Sequence, residues 1–500
     1  MPPVHRVPSV GPHEAELSVA VGSADEPAHL AGITHLTEHL LLRLAGLTAT
    51  FTNGTTELRT VTFTVQGDAE ACRGHLARLA RAVREVDRLT DEDVRTELRI
   101  LDREDPLRSG DAVPSPATLR WGVTGAGTAG GSWPTVHALT RHDVVAWVRR
   151  WFTAERAVVV LLGSWGADDA APTVDLPTGG AALDPTMRVP TGRTSPVAVP
   201  SAFGGLVLSV VVPVRAAFAL ALVVEADLFA EVRHVRGLAY EVSTSTTRVD
   251  AASVLLELTV GSAPEVASEA AVAVVREARR RADEGFSATA RERVRVAAGA
   301  ALADPAAVSR RSADLVVERT LLGWPSDDAT EDLARIAALD AEVLRRAWSD
   351  ALGSLVLMVD EEADLDGDAL GSELGLPVDL LAPVTTLSAR EFERASRGVR
   401  RWRSSVVPRL AWSSFALSGT DLLVRQGSEA WSVDLTATAV ALVRGDSVVL
   451  VGEDGRRVNV DASEVRRGSA LVQGIVDVVA GFAPERVRRI EAPDRVADAP

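Results

Sequence analysis

The chain has no lysine. All 53 of its basic residues are arginine, which fits GC-rich coding better than any functional demand. It has one cysteine, Cys72, which excludes an intrachain disulfide and a cluster of thiolate zinc ligands. Alone and without an activating pattern, Cys72 reads as a small buried residue. Aromatic residues make up 4% of the chain, and tyrosine occurs once, at Tyr240. Nowhere do roughly 18 uninterrupted apolar residues occur, the length a membrane helix needs. The nearest run, 206–224, is broken by Pro213 and Arg215. The opening residues, MPPVHRVPSVGPHEAEL, lack a basic segment followed by an apolar one, so a cytoplasmic protein without membrane association is expected. No compact basic tract offsets the formal net charge of −16, which argues against nucleic acid as a partner. Neutral or basic peptides are more compatible with such a surface.

What the chain does have is apolar material for sizeable cores: 46% is hydrophobic against 24% charged, and 500 residues point to two to four domains. Residues 14–21 alternate apolar and polar like a strand, followed by a turn-rich patch at 22–27 and a helical run over 30–44. Residues 60–65 read as another strand, and 69–86 and 91–103 as helices, the latter with Thr90 as N-cap. A Gly/Ser-rich loop over 120–133 precedes a helix running from Thr140 to Phe152 and a short buried strand at 158–162. Beyond a stretch rich in Pro, Gly, Asp and Ala the order repeats. Strand 206–214, helix 217–235, strand 252–260, helices between 264 and 351 and a closing strand at 355–359 make up the second set.

The expected fold class is therefore α+β, with two α+β halves of similar plan. The first half spans 1–170, a linker 171–200, the second half 201–365, a further linker 366–400 and a small β-rich domain 401–500. That last domain has β-prone runs at 422–424, 438–443, 447–451 and 457–460, a Glu-Asp-Gly turn at 453–455 and a terminal helix over 468–482. In pattern it resembles a pleckstrin-homology-like domain.

Residues 35–39 read His-Leu-Thr-Glu-His. On a helix, positions i and i+4 share one face about one turn apart, so His35 and His39 can each give a nitrogen to one tetrahedral ion. Glu38 stands beside them, placed to take a proton from a water that zinc makes acidic near neutral pH. The order inverts the commoner His-Glu-x-x-His arrangement.

With its approach, GSADEPAHLAGITHLTEHLL, the motif closely resembles the pitrilysin/insulinase/mitochondrial processing peptidase family of zinc metallopeptidases. Members carry a Gly-Ser-x-x-Glu segment, a Gly and then His-x-x-Glu-His, and the resemblance spans residues 14–365. It implies a third zinc ligand from LTDEDVRTELRILDRE, at Glu104, with Glu97 as its companion or as the alternative ligand. The 64 residues between His39 and Glu104 are fewer than the family has, and the shortfall lies where LLLRLAGLTATFTNG stands. In the second half, VRHVRGLAYEV resembles the family's Arg/Tyr motif. It implies that Arg233 and Tyr240 reach towards the zinc, hold substrate carbonyls and support the oxyanion, as a cation and a phenol can. Asn-Gly-Thr-Thr at 53–56 resembles a family Asn-Ala-x-Thr segment and implies that Asn53 helps to align substrate backbone.

The resulting expectation is a zinc-dependent endopeptidase or processing peptidase acting on peptides or unfolded segments. The resemblance also implies a closed chamber built by two chains, hence a homodimer, or a heterodimer with a related subunit. With both motifs in one chain, the homodimer is the simpler form. Two other classes compete: a non-catalytic subunit or scaffold partner of a related peptidase, and an interaction or membrane-surface module acting through the C-terminal domain. The remaining histidines (His5, His13, His29, His75, His137, His142 and His234) show no ligand spacing and read as surface or core residues.

Overall fold

Apolar alternation over His13–Val19 and Val61–Gly67 with the continuous apolar run Ala157–Gly163 builds the centre of one sheet, and alternation over Ser253–Gly261 with the apolar runs Leu206–Pro213 and Val356–Asp360 the centre of a second. The computed structural model describes residues 1–46, 51–104, 115–130, 133–166, 169–179, 196–201, 205–360, 367–379, 385–404 and 413–490. The first half runs β1 (Val4–Pro8), β2 (His13–Val19), α1 (Ile33–Ala45), β3 (Phe51–Thr56), β4 (Val61–Gly67), α2 (Ala69–Arg84), α3 (Asp91–Glu104), α4 (Pro116–Trp121), α5 (Arg141–Trp151) and β5 (Ala157–Gly163). The second runs β6 (Val197–Ser201), β7 (Leu206–Pro213), α6 (Val214–Phe229), β8 (Glu241–Arg248), β9 (Ser253–Gly261), α7 (Ala267–Glu284), α8 (Ala288–Ala303), α9 (Pro305–Leu322), α10 (Ala329–Ala337), α11 (Ala341–Leu352) and β10 (Val356–Asp360).

The α+β class is as expected, and the two halves share one topology. Their strand orders, β1-β5-β2-β4-β3 and β6-β10-β7-β9-β8, are the same path drawn twice. In each, the first and last strands pair in parallel and the other pairs are antiparallel. Helix α6 follows β7 as α1 follows β2.

One face of the first sheet packs under α1, α2, α3 and α5 through residues such as Leu17, Phe63, Leu36, Leu40 and Leu76. Its other face is covered by α9 from the second half, through Ala313, Leu321 and Leu322 against Val158, Val160 and Leu162. The favour is returned: α4 of the first half lies on the second sheet, with Leu119 and Trp121 against Val207, Met358 and Leu255. Each half thus lends the other a helix. Burial on both faces explains why the central strands are so apolar.

After β10 come α12 (Gly367–Leu374), β11 (Thr385–Leu387), α13 (Ala389–Ala395), β12 (Arg401–Arg403), β13 (Ser413–Ser418), β14 (Asp421–Gln426), β15 (Glu429–Asp434), β16 (Thr438–Arg444), β17 (Ser447–Gly452), β18 (Arg457–Asp461), α14 (Gly468–Phe482) and β19 (Val487–Ile490). They form a five-stranded sheet, β11-β15-β14-β13-β12, and a four-stranded one, β18-β17-β16-β19. The helix over 468–482 is where the pattern puts it but does not close the module, because β19 follows and pairs in parallel with β16. Its sequence, Val-Arg-Arg-Ile, has charges at both central positions and no apolar alternation. This departs from the pleckstrin-homology-like pattern with a terminal helix.

Of the two expected linkers, 366–400 holds α12, β11 and α13, and 171–200 includes the start of β6; residues 180–195 lie outside the described ones. Strands β3 (FTNGTT) and β8 (EVSTSTTR) are polar edge strands whose sequences give no apolar alternation. Among the described residues, no helix is long and apolar enough to cross a membrane.

Candidate metal centre

Helix α1 begins at Gly32, whose φ of +93° suits glycine, and stops at Gly46, with φ +81°. Buried Glu26 accepts hydrogen bonds from the Gly32 and Thr34 N–H groups, both at 2.7 Å, satisfying amides that have no partner within the helix. Leu36 and Leu40 face the core, which turns His35 and His39 together towards α3. Their ring centroids are 4.9 Å apart.

Helix α3 starts at a reciprocal cap, in which Thr90 and Asp93 bond each other's backbone N–H groups. Val94 and Leu101 bury one side, and Glu97 and Glu104, two turns apart, look towards α1. Glu104 Oε2 lies 3.5 Å from His39 Nε2 and 3.7 Å from His35 Nε2. One ligand atom from each of the three falls within 4.8 Å of the others. A tetrahedral ion about 2.1 Å from each ligand would hold them about 3.4 Å apart. The donor set of two imidazoles and one carboxylate therefore fits zinc in chemistry and in spacing.

Glu97, the alternative ligand, is placed behind this trio. Its Oε2 is 3.2 Å from His39 Nδ1, and its Oε1 accepts from Arg43 Nη1 at 3.0 Å. It orients the ring and leaves His39 Nε2 facing Glu104.

Glu38 is buried at 3% exposure. Thr56 Oγ1 of β3 donates to its Oε2 at 2.7 Å. Burial pushes its carboxyl above the usual range, and the Thr56 bond and nearby His39 pull it back. Gly54 lies directly over the carboxylate: a Cβ there would sit 2.2 Å from Glu38 Oε1. Gly54 and Thr56 fall within the Asn-Gly-Thr-Thr stretch, but their contacts with Glu38 depend on how β3 is laid across α1. Asn53 is brought near but not into contact. Strand alternation places it on the exposed side of β3, opposite the face carrying Gly54 and Thr56.

Arg233 and Tyr240 stand apart from the cluster. Arg233 is on a π-helical turn, Ala230–Val235, that continues α6, with its guanidinium 5.4 Å from the Phe229 ring centroid. Tyr240 is 72% exposed beside β8. Among the described residues, neither hydrogen-bonds or ion-pairs with His35, His39 or Glu104 within this chain.

No protein-family model matches the sequence, and no curated protein does. Solved structures match in fold. An inactive peptidase M16 domain from Pseudomonas fluorescens is similar at TM-score 0.57 and 15% identity, over 71% of this chain and 94% of that one. A protease from Helicobacter pylori gives 0.56 and 14%, over 71% and 96%. The first half of the periplasmic protease PqqL from Escherichia coli gives 0.53 and 14%, over 74% and 93%. A chain of Complex III from Candida albicans is equally similar, at 0.56 and 15%, over 74% and 96%. The fold is thus that of M16-like peptidase domains, a frame shared by proteases and by a domain described as inactive.

Proposed function

We propose that this chain is a zinc-dependent peptidase whose zinc is held by His35, His39 and Glu104. The observation that carries this reading is the convergence of those three donors on one point beside a buried carboxylate, Glu38. Zinc, when bound, supplies Lewis acidity that polarises a carbonyl and makes water acidic near neutral pH. Glu38 takes the proton of the attacking water and passes it to the leaving amine. Thr56 donates to Oε2 and Gly54 packs against Oε1, so β3 holds the carboxylate in place beside the three donors. The raised carboxyl suits a group that must hold and release a proton. Glu97 and Arg43 fix the His39 ring.

Strand β3 is the edge of its sheet among the described residues, and its backbone runs past Glu38. An extended peptide added along that edge would present its carbonyls at the site, which favours peptides and unfolded segments as substrates. Arg233 and Tyr240, exposed in the second half, are available to a substrate or to a second chain, and we take a homodimer as the working form.

The test is Glu38→Gln. Elemental analysis should find zinc retained, while cleavage of a mixed peptide library should fall by about 10²–10⁴-fold. Unchanged turnover would exclude Glu38 as the base. Absence of both zinc and cleavage in the wild-type protein would assign the chain to the non-catalytic subunits instead.

A further inference from the structure

More than a quarter of this chain has no counterpart in the M16-like domains that it otherwise matches nearly end to end. The C-terminal sheets β11–β19 do not hang free of the rest. They touch the first half at two places, and one of them leads into the metal-bearing helix.

The first contact is a hairpin. Glu453, in the turn after β17, accepts a hydrogen bond from Val123 N–H at 3.1 Å, and Gly455 packs on Thr118 of α4. The approach is close: a Cβ at Gly122 would stand 2.2 Å from the Glu453 carbonyl oxygen.

The second contact is the sheet β18-β17-β16-β19 itself. Its outer face (Val440, Leu442 and Ile490 among others) forms one apolar cluster with Ala28 and Ala31. Arg488 of β19 donates through Nε to the His29 carbonyl at 2.9 Å, and its Nη2 pairs with Asp143 of α5 at 3.1 Å. Arg488 is thus a clamp between the segment preceding α1 and a second helix of the same half.

The clamped segment matters because of what adjoins it. Residues 28–31 lie between Glu26, which caps α1, and Gly32, the first residue of that cap. On its other side, Gly32 is pressed by Val136, so close that a Cβ would be 3.0 Å from the valine Cβ. His35 follows three residues later and His39 seven. A helix start held by Glu26 inside, Val136 beside and Arg488 behind has little freedom to rotate or slide, and rotation of α1 by a fraction of a turn would separate the two imidazoles from Glu104.

We infer that the C-terminal module is a positioning element for the metal site, acting through Arg488 and residues 28–31 to fix the N-terminal end of α1. The link to zinc rests on the function proposed above; the mechanical claim does not.

The test uses the full chain with three substitutions. Arg488→Ala removes the clamp, Asp143→Asn weakens it from the other side without touching the module, and Arg444→Ala, at an exposed end of β16, is the control. Amide hydrogen exchange of the metal-free protein is followed at residues 28–36, with the β14–β15 amides as the check that the module stays folded. Arg488→Ala and Asp143→Asn should speed exchange at 28–36 by about tenfold, leaving β14–β15 protected, while Arg444→Ala changes neither. Competition with a chelator should show zinc affinity falling by about tenfold in the first two variants only. Unchanged exchange at 28–36 in both clamp variants would overturn the proposal, and so would faster exchange with unchanged zinc affinity. A wild-type protein that binds no zinc would overturn the peptidase reading instead, and the exchange result would still decide the clamp.

Discussion

His39 shows how one residue divides its work. Its Nδ1 is taken by Glu97 and its Nε2 is left to Glu104, so two carboxylates on one helix act in different ways on one ring. Replacing Glu97 with Gln keeps the shape but removes the charge that strengthens His39 as a donor. Zinc affinity should fall about 10–100-fold by chelator competition, with cleavage at saturating zinc much less affected. An equal loss of both would instead argue that Glu97 binds the ion directly. The sequence reveals His35, Glu38 and His39 because helical spacing is local: i and i+4 must share a face wherever the helix lies. Glu97 and Glu104 were legible only as a pair whose roles stayed open, since a spacing of seven puts both on the same face. Which one stands beside both imidazoles depends on how α3 is docked against α1, and that is a tertiary fact. The contacts of Thr56 and Gly54 with Glu38 were hidden for the same reason.

Helix α9 illustrates what an element gains and loses by being shared between halves. Arg310 of α9 forms close ion pairs with Glu14 and Glu16 of β2, and Asp314 lies one turn further along the helix. Burial pushes Glu16 up to about 7, against the pull of Arg310, and Asp314 up to about 6, against Arg311 and Arg310. A raised carboxyl means that the folded chain holds protons the unfolded chain has released. The stability from this cluster is full below the ordinary carboxylate range and is lost as pH rises through 6 to 7. The thermal midpoint should accordingly drop between pH 5 and pH 8 for this cluster, and Glu16→Gln, which leaves Glu14 to pair with Arg310, should flatten that drop. A variant with the wild-type slope would show that the titration lies elsewhere. At this scale most helices and central strands follow from periodicity, while β1, β3, β8 and β19 do not. They are short or edge strands, where pairing rather than apolar alternation decides the conformation.

At the scale of the whole molecule, α4 is the reciprocal of α9, and Arg120 is its buried charge. It is 3% exposed, donates to the Ser209 carbonyl at 3.1 Å and to the Ser354 carbonyl, and faces Glu257 of β9, whose carboxyl burial raises to about 7. Burial lowers Arg120 only to about 10, so it remains charged at neutral pH. Arg120→Ala should destabilise the fold by about 2–4 kcal/mol in denaturant unfolding, because the Ser209 and Ser354 carbonyls lose their buried donor and Glu257 a nearby positive charge. Adding Glu257→Gln should recover part of the loss, and a loss below about 1 kcal/mol would mean that Arg120 is not the tie between halves. The repeated order of elements along the chain implies two halves, but their exchange of helices is not readable there, since nothing in an amphipathic pattern names the surface it will cover.

That exchange restricts how the molecule can move. Two lobes joined only by a tether may swing apart like a hinged box, but these are dovetailed, each with a tongue fitted beneath the other. Swinging them open would strip α9 and α4 from their beds and wet two apolar surfaces at once. The two halves should travel as a single rigid block rather than open along the seam between them.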